Sequence, residues 1–502
     1  MIASFLITSG LVGALVALLY VFLVWNFNYW KKKGVKGPKP VPFYGSFPNM
    51  VKQKDNLSID VQKVYKQYRD DEDFVGVFSM RSPQLMILNP QLAHRILVTD
   101  FNKFHDNEGS TWFDSKKDRI MSNNIFMLIG NEWSERRKEM VPGMTANRIK
   151  AVYPVTQEIC RKLTQFIKEN YNEVDAKDLS LRFTSDVVSD CVLGIKANSL
   201  SDNPSPILMW TKKIFEQSPA SMAYSFVASL WPTLKTIFQM RFIKKETEDF
   251  FFGLVSSAFE LRRKDRNVDR VDFVNYTLQL QEKKNLSDDE VFSHAMTFLL
   301  DGFETTASVI ASCLYQLSKY PSCQEKLRKE IEDGLNKKNE LEFEKLESLP
   351  YLDQCIHESI RIIPPLLSGT KVCTQPSELI SRNGSKVLLR NSDTVIIPYY
   401  AFHHDEQYYP EPNEFIPERF SAENGGVKKF RDMGVYFGFG DGPRICLGMK
   451  FALIQTKAAL AEIIRHFNVK LNSKTRTDNR LNPADFLGSL DGGIWLDFEE
   501  RK

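Results

Sequence analysis

The run Phe439-Gly-Asp-Gly-Pro-Arg-Ile-Cys-Leu-Gly448 places one cysteine, Cys446, in a setting that favours a metal-binding thiolate. An ordinary thiol titrates near ~8.5, and a helix N-terminus or a neighbouring cation lowers that value. The apolar, amphipathic stretch from Met449 to Phe467 predicts a helix beginning just after Cys446, and Arg444 supplies the cation. Gly440, Gly442 and Gly448 let the backbone turn tightly and approach a flat ligand closely. Taken alone, such a cysteine is more often a small buried hydrophobe. A second unusual cluster is Asp301-Gly-Phe-Glu-Thr-Thr306, which puts two carboxylates, a glycine and two hydroxyls between the apolar runs Phe298-Leu-Leu and Val309-Ile-Ala. An alcohol beside a carboxylate can deliver protons into a dry pocket, and Gly302 lets something large lie against the backbone.

These groups need elements to hold them. Ser287-Asp-Asp-Glu290 has the capping-box pattern, and helical periodicity runs from there to Tyr320, where Pro321 stops it. Such a helix of about 32 residues would span ~48 Å and carry the polar cluster at its middle. Earlier, Phe74-Val-Gly-Val-Phe-Ser and Gln84-Leu-Met-Ile-Leu read as short strands, and long helical patterns dominate afterwards. The expected architecture is mainly α with a smaller β region. With 43% hydrophobic residues and 36 phenylalanines in 502 the chain can bury a sizeable core, while a net charge of +3 gives no reason to expect nucleic acid. The seven cysteines form no CxxC pair and no disulfide-like framework, which suits reducing surroundings, and the seven histidines show no HExxH spacing.

Residues 2–25 carry no charged side chain and as a helix would reach ~36 Å, enough to cross a bilayer core. The aromatic cluster Trp25, Phe27, Tyr29 and Trp30 fits an interfacial belt, and Lys31, Lys32, Lys33 and Lys36 then place the remaining chain in the cytosol. Gly37-Pro-Lys-Pro-Val-Pro-Phe-Tyr-Gly45 reads as a stiff extended spacer. The chain thus divides into a transmembrane helix (1–25), a basic and proline-rich linker (26–46) and one globular body (47–502). Phe226, Val227, Leu230, Trp231, Ile237 and Phe238, near Lys235, Arg241, Lys244 and Lys245, suit a second membrane contact or a cap over a buried pocket equally well.

The cysteine loop matches Phe-x-x-Gly-x-Arg-x-Cys-x-Gly and resembles the heme-ligand loop of the cytochrome P450 family. The rest of that family's pattern follows in order: Trp133-Ser-Glu-Arg-Arg137, the distal motif around Glu304-Thr305, Glu358-Ser-Ile-Arg361, and Pro417-Glu-Arg-Phe420. The resemblance implies the P450 fold, a heme b whose iron takes Cys446 as axial ligand, and monooxygenase chemistry. By resemblance, Thr305 stabilises iron-bound peroxide and Glu304 helps relay protons. Phe439 and Gly440 belong to the heme-binding loop, Trp133, Arg137 and Arg444 would bind the propionates, and Lys371 stands where many members carry arginine. Glu358, Arg361 and Arg419 would form a buried charge triad holding the loop that presents Cys446. Three positions depart from the pattern: Asp301 where Ala or Gly is usual, Lys371, and Gly438 where proline often stands.

No dinucleotide fingerprint appears, so electrons must come from outside. The resemblance points to NADPH–cytochrome P450 reductase, with cytochrome b5 as a further candidate donor. Arg136, Lys138, Lys428, Lys429 and Arg431 could steer an acidic partner or could simply be solvated charges. The implied enzyme is microsomal, in the endoplasmic reticulum membrane with its body on the cytosolic face. In style it is most like insect enzymes acting on xenobiotics, insecticides or endogenous hormones and lipids. Two alternatives stay open: a heme-thiolate isomerase or dehydratase that rearranges peroxides without external electrons, and a non-enzymatic heme sensor or gas carrier.

Overall fold

The computed structural model describes the chain except residues 1, 112–117, 215–223, 225, 226, 229, 232, 233, 238–240, 242, 265–269 and 502. Phe226 and Phe238 of the second membrane contact therefore lie outside the described residues. A helix α1 (Ile2–Val24) stands almost wholly exposed, and its window Ser4–Val24 is apolar and long enough to cross a membrane. Behind it lie a β region and a larger helical region, each with its own core.

The β region is a five-stranded sheet. Its strands are β1 (Phe74–Ser79), β2 (Ser82–Ile87), β3 (Asp106–Asn107), β4 (Gly369–Val372) and β7 (Thr394–Ile397), in the order β1-β2-β7-β4-β3. A separate hairpin pairs β5 (Ser377–Ile380) with β6 (Lys386–Leu389). Two of these strands are the predicted runs. The register Asn107↔Lys371 brings a residue before the distal helix beside one long after it, a juxtaposition that no local pattern encodes.

The aromatic belt is only partly where the sequence suggested. Trp25 is 73% exposed, but Trp30 is 3% exposed and donates from Nε1 to Val77 O at 3.0 Å. A Cβ at Gly76 would lie 2.1 Å from Trp30 Cγ, so the glycine makes room for the indole. Phe27 packs on Phe78 with ring centroids 5.3 Å apart, Tyr29 donates to Asp393 at 2.6 Å, and Lys33 pairs with the same carboxylate at 3.1 Å. Val35 and Phe47 join this core as well. Most of the aromatic cluster read as an interfacial belt is thus packed onto the sheet, because its large rings gain more from burial there than from lying at an interface.

The helical region is organised by α4 (Asp288–Lys319), whose 32 residues match the expected span. Its capping box is complete: Glu290 N donates to Ser287 Oγ at 3.3 Å and Ser287 N to Glu290 Oε2 at 2.8 Å. Against it pack α3 (Ala176–Val188), α5 (Pro350–Ile362) and α6 (Met449–His466); α2 (Gly130–Met140) lies nearer the sheet edge. Gly302 serves the α3 contact. A Cβ there would meet Val188 Cγ2 at 3.3 Å, so the glycine lets the two helices close.

At the end of α5 the side chains of Glu358 and Arg361 are fully buried and doubly bonded, Nε to Oε2 at 2.7 Å and Nη2 to Oε1 at 2.8 Å. Arg361 also donates to the carbonyls of His403 and Pro412, each at 2.8 Å, and Glu358 accepts from Arg419 Nε at 3.2 Å and Ile416 N at 3.1 Å. Its direct hold is on residues 403–419. The cysteine loop is reached through His403, whose Nε2 accepts from Phe437 N at 2.9 Å. Replacing Arg361 by Met would leave the buried Glu358 with Arg419 as its remaining cation and should cost about 3–5 kcal/mol, read as a lowered denaturant midpoint. The double change Glu358→Leu, Arg361→Met should recover part of that loss; no recovery would mean that the carbonyl contacts, not the charge pair, dominate.

Candidate active site

Cys446 is set by a loop that closes on itself. Its N–H donates to Phe439 O at 2.9 Å, Gly440 has φ +71°, and Gly442 at φ +66° lies where a Cβ would be 2.0 Å from Leu97 O, so only glycine fits. Asp441 ties the turn by accepting from Gly442 N at 2.8 Å and contacting His94 Nδ1 at 2.9 Å. Helix α6 begins at Met449 with Gly448 as its N-cap, as the pattern implied.

The ionisation state differs from the sequence-based expectation. Burial pushes the Cys446 thiol up to about 11, and the opposing Gly448 N–H and Arg137 guanidinium do not offset it, while Asp301 adds to the rise. Arg444, expected to stabilise the thiolate, points elsewhere. It donates to Leu128 O at 2.8 Å and to His105 O, and lies 4.3 Å over the Trp133 ring. Without a bound metal the group is therefore a thiol, and ligation requires it to lose that proton.

Cys446 is enclosed by protein and yet keeps accessible surface, and the same holds for Asp301. Both therefore face an internal space, with the Cys446 loop on one side and the middle of α4 on the other. Thr305, one turn after Asp301, stands on the same face, and its Oγ1 donates to Asp301 O at 2.5 Å. Glu304 is turned toward α3, where Lys177 pairs with it at 2.7 Å and also bonds Ser308 Oγ. Nothing in the sequence marks Lys177, which lies far from the motif along the chain. Asn124 was missed for the same reason: its Nδ2 donates to Asp301 Oδ1 at 3.0 Å.

The rim of this space carries cations. Arg137 donates to Ile445 O at 2.8 Å, Lys371 Nζ to Asn107 Oδ1 at 2.7 Å, and Arg444 lies 3.4 Å from Asp106 Oδ1. Burial lowers all three, Lys371 to about 7 and Arg444 to about 10. Among the described residues the carboxylate beside them is Asp106, which His105 Nδ1 and Gly130 N also contact at 2.6 and 2.8 Å. Desolvated positive charge in excess of its counter-charge fits a ligand with two carboxylates at one edge. The residues present thus fit a heme: a cysteine sulfur facing the cavity, and Arg137, Arg444, Lys371 and Trp133 at a rim suited to its propionates. His105, Asp106 and Asn107 belong to the same rim and had no sequence signal beyond polarity.

Of the surface cations, Arg136 proves to be 8% exposed, bonded to Glu139 at 3.3 Å and close to Glu290, so it offers nothing to a partner. Gly438 has its own reason: a Cβ would stand 2.4 Å from Tyr436 Oη, a phenol fixed by His357 Nδ1 at 2.7 Å, and 2.6 Å from Ile360 Cγ2. Gly438→Ala should cost about 1–3 kcal/mol and reduce heme occupancy of purified protein. By contrast Gly253→Ala, at an exposed helical position with nothing within 4 Å, should stabilise by about 0.5–1 kcal/mol. Equal effects from the two would discount the crowding at Tyr436.

The family model described as Cytochrome P450 matches residues 35–491. Among curated proteins, the Probable cytochrome P450 28d1 of Drosophila melanogaster is 49% identical over 496 residues, covering 98% of each chain. The Probable cytochrome P450 28a5 of the same fly is 45% identical over 504 residues, covering 99% of each, and Cytochrome P450 6k1 of Blattella germanica is 30% identical, covering 97% of this chain and 96% of its own. With Cys446 and the Asp301–Thr305 turn facing one enclosed space, and relatives alike along almost their whole length, this chain belongs to the cytochrome P450 family of heme-thiolate monooxygenases.

Proposed function

We propose that this chain is a membrane-anchored enzyme that inserts one oxygen atom of O2 into apolar organic molecules, xenobiotics or endogenous hormones and lipids, and reduces the other atom to water. Its electrons come from NADPH through the reductase of the same membrane, with cytochrome b5 as an auxiliary donor. The balance is one substrate, one O2, one NADPH and one proton in, and hydroxylated product, water and NADP+ out. The observation that carries this reading is the placement of Asp301 and Thr305 across a common enclosed space from Cys446.

The bound heme b would supply activation of dioxygen at its iron. The chain's own residues do the rest. Cys446 would offer its sulfur to the iron, and Arg137, Arg444, Lys371 and Trp133 would hold the anionic edge. Thr305 offers a hydroxyl whose proton is now given to Asp301 O and must turn toward the cavity to be donated. Glu304 reaches the outside through Lys177, which is 26% exposed at its side chain, so the pair can connect Thr305's turn with solvent. Apolar surroundings keep bulk water away from this route.

The anchor reading rests on α1, exposed and apolar, and on the ring of Phe22 at its end, 6.3 Å from Trp231. Lys138 and Lys429 are exposed and available to an acidic reductase surface, whereas Lys428 pairs with Asp432 and Arg431 lies 3.4 Å from Asp441.

Two experiments test the reading. Reconstituted with reductase and NADPH and offered a broad set of apolar compounds, the protein should oxidise some of them; conversion of hydroperoxides alone, without NADPH, would favour the isomerase class. In that assay Thr305→Ala should keep consuming NADPH but lower product per NADPH by about tenfold or more, with hydrogen peroxide released instead. Unchanged coupling would remove Thr305 from the proton path. Separately, deletion of residues 2–24 should move most of the protein from the membrane fraction to the soluble one, and full retention would place the anchor elsewhere.

A further inference from the structure

Asp301 is a carboxylate that proton delivery alone does not explain. It faces the enclosed space one turn before Thr305, and its charge is felt by Cys446 across that space. Its Oδ1 accepts from Asn124 Nδ2 at 3.0 Å, and Asn124, 5% exposed, is itself fixed because its Oδ1 accepts from Phe126 N at 2.8 Å. The carboxylate is therefore held in place by one neutral donor. Among the described residues no lysine, arginine or histidine pairs with it. Cations of the surrounding elements are committed: Lys177 to Glu304, Arg137 to Ile445 O, Arg444 to His105 O and Leu128 O, Lys371 to Asn107, and His294, two turns earlier, to Glu139 and Glu290 O.

A fixed carboxylate in an enclosed cavity with a single neutral partner is poorly compensated, and a cation brought by a ligand would complete it. We propose that Asp301, oriented by Asn124, binds the positively charged nitrogen of otherwise apolar organic amines, and so selects such amines among the substrates of this enzyme. The site rests on the monooxygenase reading of the same cavity. The i,i+4 relation of Asp301 and Thr305 puts their Cβ atoms about 5–6 Å apart, so an amine seated there presents carbons near its nitrogen to the reacting centre. Neutral compounds of the same shape still enter, with lower affinity.

The holoenzyme tests this with two probes, 4-phenylbutyltrimethylammonium and its isostere carrying a tert-butyl carbon in place of the ammonium. The quaternary nitrogen has no lone pair and cannot ligate iron, so both are followed by the change in heme absorption on titration. The ammonium should bind wild type about tenfold more tightly than the isostere, a preference that falls below about twofold in Asp301→Asn. Equal binding of the two probes to wild type overturns the proposal, as does a preference kept in Asp301→Asn. If that variant does not retain heme, Asp301→Ser takes its place with the same readout. The monooxygenase reading fails separately: no NADPH- and reductase-dependent oxidation of any compound, in protein that still discriminates between the two probes.

Discussion

The pairing of Glu358 with Arg361, both without accessible side-chain surface, is the constraint from which the rest of the heme side follows. Two full charges taken out of water are costly unless every remaining hydrogen-bonding position is used, and here they are used on the backbone. Carbonyls of His403, Pro412 and Glu414 and the amide of Ile416 all end on this pair. A loop of irregular chain is thereby given partners that no sheet or helix could supply. His403, fixed at its carbonyl by Arg361, passes the position on to Phe437 and so to the turn that carries Cys446. Burial keeps that imidazole well below its ordinary range, hence neutral, which leaves Nε2 free to accept.

The same burial that makes this scaffold rigid sets the electrostatics of the cavity. It holds Cys446 protonated, lowers the cations at the rim and raises Asp301 to about 6. Each shift disfavours charge, and each is of the sign that a ligand of opposite charge would reverse. A metal answers the sulfur and two carboxylates answer the rim cations. The site is thus poised for a prosthetic group that brings its own charges, and the cost of desolvating the protein's groups is what makes the group's arrival favourable.

What was legible from the chain was whatever is written locally. The capping box and terminal proline gave α4 to within a residue, and the spacing of Glu358 and Arg361 gave their common face. What was not legible depends on contacts between distant segments. Trp30 reads as interfacial beside a membrane helix, and only the glycine at position 76 and the sheet above it show that the ring is buried. Cys446 reads as a thiolate because helix end and arginine are visible in sequence, whereas desolvation is a property of everything packed around it. Arg444 shows the same limit: its position in the motif is fixed, but its direction is decided by the carbonyls of His105 and Leu128.

Helical phase separates the two carboxylates of the distal motif into different tasks. At about 100° per residue, Asp301 and Thr305 lie some 40° apart while Glu304 is rotated away from Asp301 by about 60° in the other sense. That rotation is enough for α3 to capture Glu304 through Lys177 and for the cavity to keep Asp301. The carboxylate of Glu304 meets a partly exposed lysine on the neighbouring helix. One enclosed and met only by an amide has no such partner, so its charge must be answered from within the cavity. The acidic residue that departs from the family pattern therefore faces the pocket, and the one that follows the pattern is turned toward the neighbouring helix.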